Sequence, residues 1–164
     1  MLDIKNIKSY FPPLLDTKQF TPYLIKEYLE YKVLEHLSRQ GYTKNMCFIG
    51  GTCLRLVHGI DRFSEDLDFD IKNFSREDFI KMTDSVLKFV NNLGLKAVFE
   101  DKEKDLTLKA FRRNMVFPGF LYENNLSPHK EEKFLLKIEC QDQQAKYEPK
   151  NIILRGCGSM FNFS

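Results

Sequence analysis

Three aspartates alternate with apolar residues in the segment Asp66-Leu67-Asp68-Phe69-Asp70. Side chains of a β-strand point to opposite faces in turn, so the three aspartates project together while the two apolar residues enter the core. Neighbouring carboxylates repel one another, and desolvating them costs several kcal/mol unless a cation compensates their charge. A divalent metal is the natural compensation, and ligands that are all oxygen favour Mg²⁺ or Mn²⁺.

A further carboxylate lies downstream in a second apolar segment. Glu139 is the one acid between Phe134 and Cys140, and Lys137 falls on the same face. If this segment is a strand beside the aspartate strand, three carboxylates converge. Two metal ions about 4 Å apart require such a convergence for in-line displacement at phosphorus.

A phosphate site is indicated by Gly50-Gly51-Thr52, which separates an apolar run from a short helical segment. A glycine pair lets backbone N–H groups approach phosphate oxygens, and a helix N-terminus adds favourable partial charge. The Thr52 hydroxyl could bind a phosphate oxygen. A glycine pair alone more often marks a tight turn, but the aspartate strand that follows it weakens that interpretation.

The elements that must position these groups follow from hydrophobic spacing, capping residues and glycines. A first helix is predicted to begin after Thr21, which caps it, and to end before Gly41. A second is predicted over residues 52–58. A third should begin at a capping box formed by Ser75 and Asp78 and run to about Asn92. Strands are predicted over residues 46–49, 66–71, 96–99, 106–116, 119–122, 134–140 and 152–154.

This order of elements predicts an α+β fold with α/β-like character, a mixed β-sheet with helices packed on one face. The length of 164 residues fits one domain that can bury a core. The sequence stops in the apolar residues 160–163 without a cap or polar tail, so we expect a shortened chain.

The composition excludes several classes of protein. The net charge of +2 argues neither for nor against a nucleic-acid partner, and clusters such as Arg112-Arg113 are interpreted as a solvated face. The four cysteines and three histidines lack metal-ligand spacing, so neither zinc nor a disulfide framework is expected. With no membrane-spanning run and no signal-peptide pattern, we expect a cytoplasmic protein without a membrane partner.

The segments 48–56 and 62–69 together resemble the AbiEii/AbiGii toxin family of nucleotidyltransferases, which includes the MenT toxins and belongs to the DNA polymerase β-like superfamily. The likeness lies in Gly-Gly-Thr followed by Arg-x-Ser-x-Asp-x-Asp and a later acid, and it extends over about residues 20–155. It implies a nucleotidyltransferase palm. Members usually continue into a helical C-terminal domain, so we expect residues 1–164 to be a single palm domain without it.

The resemblance also implies roles for individual residues. Asp66 and Asp68 would ligate two Mg²⁺ or Mn²⁺ ions, and Glu139 would be the third catalytic acid, as a metal ligand or as a base for the attacking hydroxyl. The triphosphate of an NTP would be held by Gly50, Gly51 and Thr52.

Other residues are weaker candidates for binding the NTP. Lys137 and Lys109 could neutralise phosphate charge. Ser64 could form a hydrogen bond near the metal site or cap the turn before the strand. Arg62 could bind triphosphate or RNA, or lie on an exposed surface.

The expected function is Mg²⁺-dependent transfer of a nucleotide from an NTP to an acceptor hydroxyl, such as the 3′ end of tRNA. The resemblance implies a toxin with a cognate antitoxin as partner. The alternative is an inactive module that binds a nucleotide or the antitoxin without turnover. A metal-dependent nuclease is a third hypothesis, which the Gly-Gly-Thr turn disfavours because that turn suits an NTP substrate.

Overall fold

The computed structural model describes residues 1–101, 106–107, 110–144 and 146–163. Lys109 lies outside these residues. The helices within them are α1 (Ile4–Ser9), α2 (Thr21–Arg39), α3 (Gly50–His58), α4 (Arg76–Asn92) and α5 (Phe120–Glu123). The strands are β1 (Met46–Ile49), β2 (Asp66–Ile71), β3 (Val98–Phe99), β4 (Leu106–Thr107), β5 (Ala110–Phe117), β6 (Phe134–Gln141), β7 (Ile152–Gly156) and β8 (Ser159–Phe163).

A mixed sheet of strand order β1-β2-β6-β5-β3 forms the centre of the fold, and β4 joins it by pairing with β5. Strands β2 and β6 run parallel, whereas β1 pairs with β2, and β5 with β6, in antiparallel fashion. The predicted mixed α/β architecture is therefore confirmed. The parallel pair brings together two segments that are distant in sequence, and both carry the acids singled out above.

One face of the sheet is apolar and shares a core with α2 and α4. Leu67 and Phe69 of β2 are buried there, as the alternation predicts. Phe79 of α4 stacks on Phe111 of β5, with ring centroids 5.4 Å apart. Burial of this face leaves the other face of β2 and β6 for the polar residues, because strand side chains alternate.

The apolar residues 160–163 form part of β8, which pairs with β7 in an antiparallel hairpin. Phe163 is buried, and its ring lies 5.8 Å from that of Phe48 and 5.9 Å from that of Phe69. This hairpin thus fills part of the core beside the central sheet. None of the described helices is both long and apolar enough to cross a membrane.

Three local predictions are wrong. Thr21 is the first helical residue of α2 and not its cap; the Thr17 hydroxyl instead accepts a hydrogen bond from the Phe20 N–H. Residues 119–122 begin helix α5 and not a strand, because Gly119 takes a left-handed conformation (φ 69°) that turns the chain. The single strand predicted over 106–116 is two strands, β4 and β5, which pair with each other.

Helix α2 buries a carboxyl group close to the polar face. Glu30 is 1% exposed, and its Oε1 has no hydrogen-bond partner among the described residues. Burial raises the pKa of Glu30 well above the usual value, and the nearby Glu27 raises it further, against the opposing effect of Lys26 and Arg55. An uncompensated buried carboxylate is costly, so the group is held in its protonated form.

This burial predicts a specific pH dependence of stability. The folded state holds the Glu30 proton to higher pH than the unfolded chain, whose pKa is near 4.5. The free energy of unfolding should therefore fall as pH rises above 4.5, and Glu30→Gln should remove that part of the slope. Urea denaturation at several pH values measures it. Parallel curves for parent and variant would contradict the assignment.

Candidate active site

Strands β2 and β6 bring the sequence-predicted acids to one place. In their parallel pairing Asp68 lies opposite Glu139, and Asp66 lies opposite Lys137. All four side chains belong to the polar face of the sheet, because the residues between them are buried in the core. The convergence inferred from two separate apolar segments is thus present in the fold.

Two of the three carboxylates are paired with cations. Lys137 Nζ lies 2.7 Å from Asp66 Oδ2. On β5, opposite Glu139 in register, Arg112 donates from Nε and Nη2 to Glu139 Oε2 at 2.7 Å each. Arg112 is exposed, as the interpretation of a solvated face expects. Its partner Glu139 is set by the β5–β6 register, which spacing alone did not supply.

For the neighbouring Arg113 the interpretation of a solvated face is wrong, because its side chain is only 12% exposed. It lies on the opposite side of β5, where its guanidinium contacts Asp84 and Asp101 at 2.8 and 2.7 Å. The guanidinium also lies 3.7 Å from the centre of the Phe99 ring. This network ties β5 to α4 and stabilises the sheet from the helical side.

Asp68 is the central carboxylate, and its charge is the least compensated. Partial burial raises the pKa of Asp68, and the adjacent carboxylates of Asp66 and Glu139 raise it further. Lys137 and Arg112 act in the opposite direction but do not cancel the shift. Among the residues that the structure describes, three carboxylates face two cations here, so this face keeps an excess of negative charge that favours binding of a further cation.

The glycine pair permits helix α3 to begin directly against this acid. Gly50 has a left-handed backbone (φ 80°), and a Cβ built on it would overlap Asp68 Oδ2. A Cβ on Gly51 would lie 2.8 Å from Ser64 Oγ. The helix has no side-chain cap at its N-terminus. Its first N–H groups and the positive end of its dipole therefore lie beside the carboxylates. These N–H groups and this partial charge are what a phosphate site needs.

The Thr52 side chain has a different role from the expected one. It is 0% exposed, and its hydroxyl donates a 2.5 Å hydrogen bond to the backbone carbonyl of Asp66. The expectation that this hydroxyl binds a phosphate oxygen is corrected, because the group is buried and joins α3 to β2. A contact of Thr52 with phosphate would have to come from its backbone N–H.

The remaining candidates lie in the loop before β2. Ser64 is half-buried, and its hydroxyl borders Gly51 at the start of α3. Arg62 is exposed. Between them, Phe63 stacks against Tyr23 of α2 at 5.5 Å and lies under the Arg55 guanidinium at 4.2 Å. The loop is therefore anchored to α2 and α3, with Ser64 directed toward the site and Arg62 at the surface.

The third aspartate of β2 is not an open ligand. Asp70 is 3% exposed and accepts hydrogen bonds from the Gln143 N–H, at 3.0 Å, and from the Tyr147 hydroxyl. It holds the segment that follows β6 against the polar face. Sequence spacing placed Asp70 on the face of Asp66 and Asp68. The contacts of Asp70 with Gln143 and Tyr147 could not be inferred, because those residues lie in a segment without a periodic pattern.

A pocket of about 220 Å³ opens at the carboxylates, lined by Gly50, Asp68 and Glu139 together with Gln141 and Gln143. A larger cleft, of about 460 Å³, lies between the start of α2 and the start of β6. The larger cleft is not lined by any of the three acids, so size alone does not identify the site. The smaller pocket combines a helix N-terminus with converging carboxylates and is the better candidate.

The donor set of this pocket suits a hard divalent cation, since Asp66, Asp68 and Glu139 offer only carboxylate oxygens on adjacent strands. Among the described residues, no three acids, histidines or cysteines are arranged to hold one ion as they stand. Lys137 contacts Oδ2 of Asp66, and Arg112 contacts Oε2 of Glu139. A metal at these acids would therefore either share the two outer carboxylates with these cations or displace them.

The sequence matches the family described as nucleotidyl transferase AbiEii toxin, type IV TA system, over residues 32–150. No curated protein sequence matches it significantly. Two Helicobacter pylori crystal structures share the fold at a TM-score of 0.53: JHP933, at 24% identity, and a chain provisionally assigned as a nucleotidyltransferase, at 25%. Each match covers 84% of this chain but only 50% and 52% of those chains, so the chain spans about half their length.

The charge imbalance predicts that Asp68 lowers stability. Asp68→Asn leaves two carboxylates facing two cations, so the melting temperature should rise by about 2–4 °C, as ~1 kcal/mol produces in a domain of this size. Differential scanning calorimetry measures the change. Asp16→Asn, at an exposed aspartate paired with Lys8, is the control and should show no increase. A lower melting temperature for Asp68→Asn would contradict the imbalance.

The effect on stability of the close approach between Gly50 and Asp68 can be distinguished from the effect of backbone strain. Gly41 has the same left-handed conformation (φ 79°), but a Cβ there would meet nothing within 4 Å. Gly41→Ala should therefore lower the free energy of unfolding by about 1–2 kcal/mol through strain alone, and Gly50→Ala should lower it further. Urea denaturation compares the two variants. Equal losses would show that the contact with Asp68 is unimportant.

Proposed function

Because the chain belongs to the AbiEii family of nucleotidyl transferase toxins, we propose that it transfers a nucleotide from an NTP to an acceptor hydroxyl in a Mg²⁺-dependent reaction. One observation carries this proposal. Asp68 and Glu139 meet on adjacent strands directly at the uncapped N-terminus of α3, and both line a pocket together with Gly50. This arrangement offers one surface for a metal and another for phosphate.

Asp66, Asp68 and Glu139 would hold the Mg²⁺ ions, since together they supply oxygen ligands and excess negative charge. Bound there, Mg²⁺ would promote deprotonation of the acceptor hydroxyl and stabilise the charge that develops on the departing pyrophosphate. In the described conformation Lys137 and Arg112 neutralise the outer acids. We propose that both cations move from the carboxylates to the triphosphate when the site is loaded.

The remaining roles follow from position. The first N–H groups of α3, at Gly50 and Gly51, lie where they can donate to phosphate oxygens. Ser64 borders Gly51 and can add a hydroxyl donor. The acceptor oxygen forms a bond to the α-phosphorus, the bond from that phosphorus to the bridging oxygen breaks, and pyrophosphate leaves. Glu139 would act either as a metal ligand or as the base that takes the proton of the acceptor hydroxyl.

The acceptor and the biological role are further proposals. The family description names a toxin of a type IV toxin–antitoxin system, which supports a toxin with a cognate antitoxin. A tRNA 3′ end supplies the hydroxyl that the reaction needs. The exposed Arg62, in the loop before β2, could contact the backbone of such an acceptor.

The alternative is a module that binds a nucleotide or the antitoxin without turnover. The ion pairs on Asp66 and Glu139 favour it, because each pair partly neutralises a carboxylate that would attract a metal. The two hypotheses differ in turnover. An active enzyme transfers the nucleotide to an acceptor, whereas a binding module only holds it.

Transfer of label from α-³²P-labelled NTPs to total tRNA, in the presence of Mg²⁺, tests the proposal. The parent should label the RNA, and Asp66→Ala and Asp68→Ala should each lower the rate by at least about 10³-fold while remaining folded, as loss of a metal ligand predicts. Asp16→Ala is the matched control and should retain full activity. Full transfer by either site variant would contradict the proposal. Mg²⁺-dependent NTP binding without transfer would favour the binding module.

A further inference from the structure

Asp70 is buried on the same face of β2 as the proposed metal ligands, yet both of its carboxylate oxygens accept hydrogen bonds from residues of the segment that follows β6. One of its oxygens accepts the Gln143 N–H at 3.0 Å, and the other accepts the Tyr147 hydroxyl. Lys72, two residues beyond Asp70, lies 5.3 Å from the centre of the Tyr147 ring. The end of β2 therefore fixes two points of this segment, one on each side of residue 145.

The turn at the start of the segment is defined as well. The Asp142 side chain accepts a hydrogen bond from the Gln144 N–H at 2.9 Å, and Gln144 has a positive φ of 53°. Together with the bond to Asp70, this turn fixes the backbone of Gln143. Gln143 is one of the residues that line the 220 Å³ pocket, as is Gly50.

The lining of this pocket is unequal in charge. Asp68 and Glu139 line it together with Gln141 and Gln143, and no lysine or arginine among the described residues does. Lys137 and Arg112 instead contact the acids from neighbouring positions on β6 and β5. The two glutamines offer no positive charge to a phosphate. A carboxamide both donates and accepts hydrogen bonds, which suits the uncharged hydroxyls and base edges of a nucleoside.

We infer that Gln143, positioned by Asp70 and Tyr147, binds the nucleoside part of the NTP. This inference rests on the proposed function, because it uses the same pocket. It assigns the third aspartate of the β2 motif a positioning role. Asp66 and Asp68 face the phosphates, while Asp70 holds the segment that contacts the rest of the nucleotide.

Calorimetric binding in Mg²⁺ tests this with two probes: non-hydrolysable analogues of the four NTPs, and inorganic tripolyphosphate, which lacks a nucleoside. Gln143→Ala should weaken binding of at least one NTP analogue about three- to tenfold, as the loss of one or two hydrogen bonds predicts. Its affinity for tripolyphosphate should stay unchanged. Gln40→Ala, at an exposed amide that follows α2, is the matched control and should alter neither affinity.

Tyr147→Phe tests the positioning. It removes only the hydroxyl that donates to Asp70, so it should weaken NTP binding without affecting tripolyphosphate, and Gln143→Ala should add little further loss in the double variant. A simple loss of stability would weaken the binding of both probes alike. If Tyr147→Phe leaves NTP affinity unchanged, Tyr147 has no positioning role.

The outcomes also separate the inference from the proposed function. If the parent binds both the NTP analogue and tripolyphosphate, and Gln143→Ala binds each as tightly as the parent does, the inference is overturned but the proposed function is not. A parent that binds neither probe would overturn both. Equal weakening of both probes in Gln143→Ala would mean that the residue contacts phosphate or supports the fold, and would also overturn the assignment to the nucleoside.

Discussion

The repulsion among three carboxylates on two adjacent strands is the constraint on which the rest of the molecule depends. Parallel pairing of β2 and β6 sets Asp68 opposite Glu139, next to Asp66. Such a cluster is unfavourable without compensating charge. The fold supplies part of that charge through Lys137 and Arg112, and part through the positive end of α3. Burial of the opposite, apolar face of the sheet against α2 and α4 provides the stability that offsets the remainder.

The compensation is incomplete at Asp68, and this incompleteness is what gives the site its proposed chemistry. A protein selected only for stability would not keep an uncompensated acid against Gly50, at a helix N-terminus without a cap. Stability is commonly lowered where function needs a strained or charged arrangement. The same reasoning separates the acids by role: Asp66, Asp68 and Glu139 stay near the pocket, whereas Asp70 is sealed by Gln143 and Tyr147.

Local spacing predicted the elements and the face of each acid, because strand alternation and capping chemistry act over a few residues. The capping box at Ser75 and Asp78 is present as predicted. Properties that depend on register or on irregular segments could not be predicted. The partner of Glu139 is set by β5, the Thr52 hydroxyl turns inward to Asp66, and the cover over Asp70 comes from residues 142–149. The short helix α5 was missed because Gly119 reverses the chain within an apolar run.

The most direct test of the central claim is the anomalous scattering of Mn²⁺ in crystals grown with a non-hydrolysable NTP analogue. The proposed chemistry predicts manganese peaks bounded by Asp66, Asp68 and Glu139, with the triphosphate at the N-terminus of α3 and with the Lys137–Asp66 pair broken. Manganese and nucleotide bound elsewhere, with both ion pairs intact, would contradict a two-metal nucleotidyltransferase site on this face of the sheet.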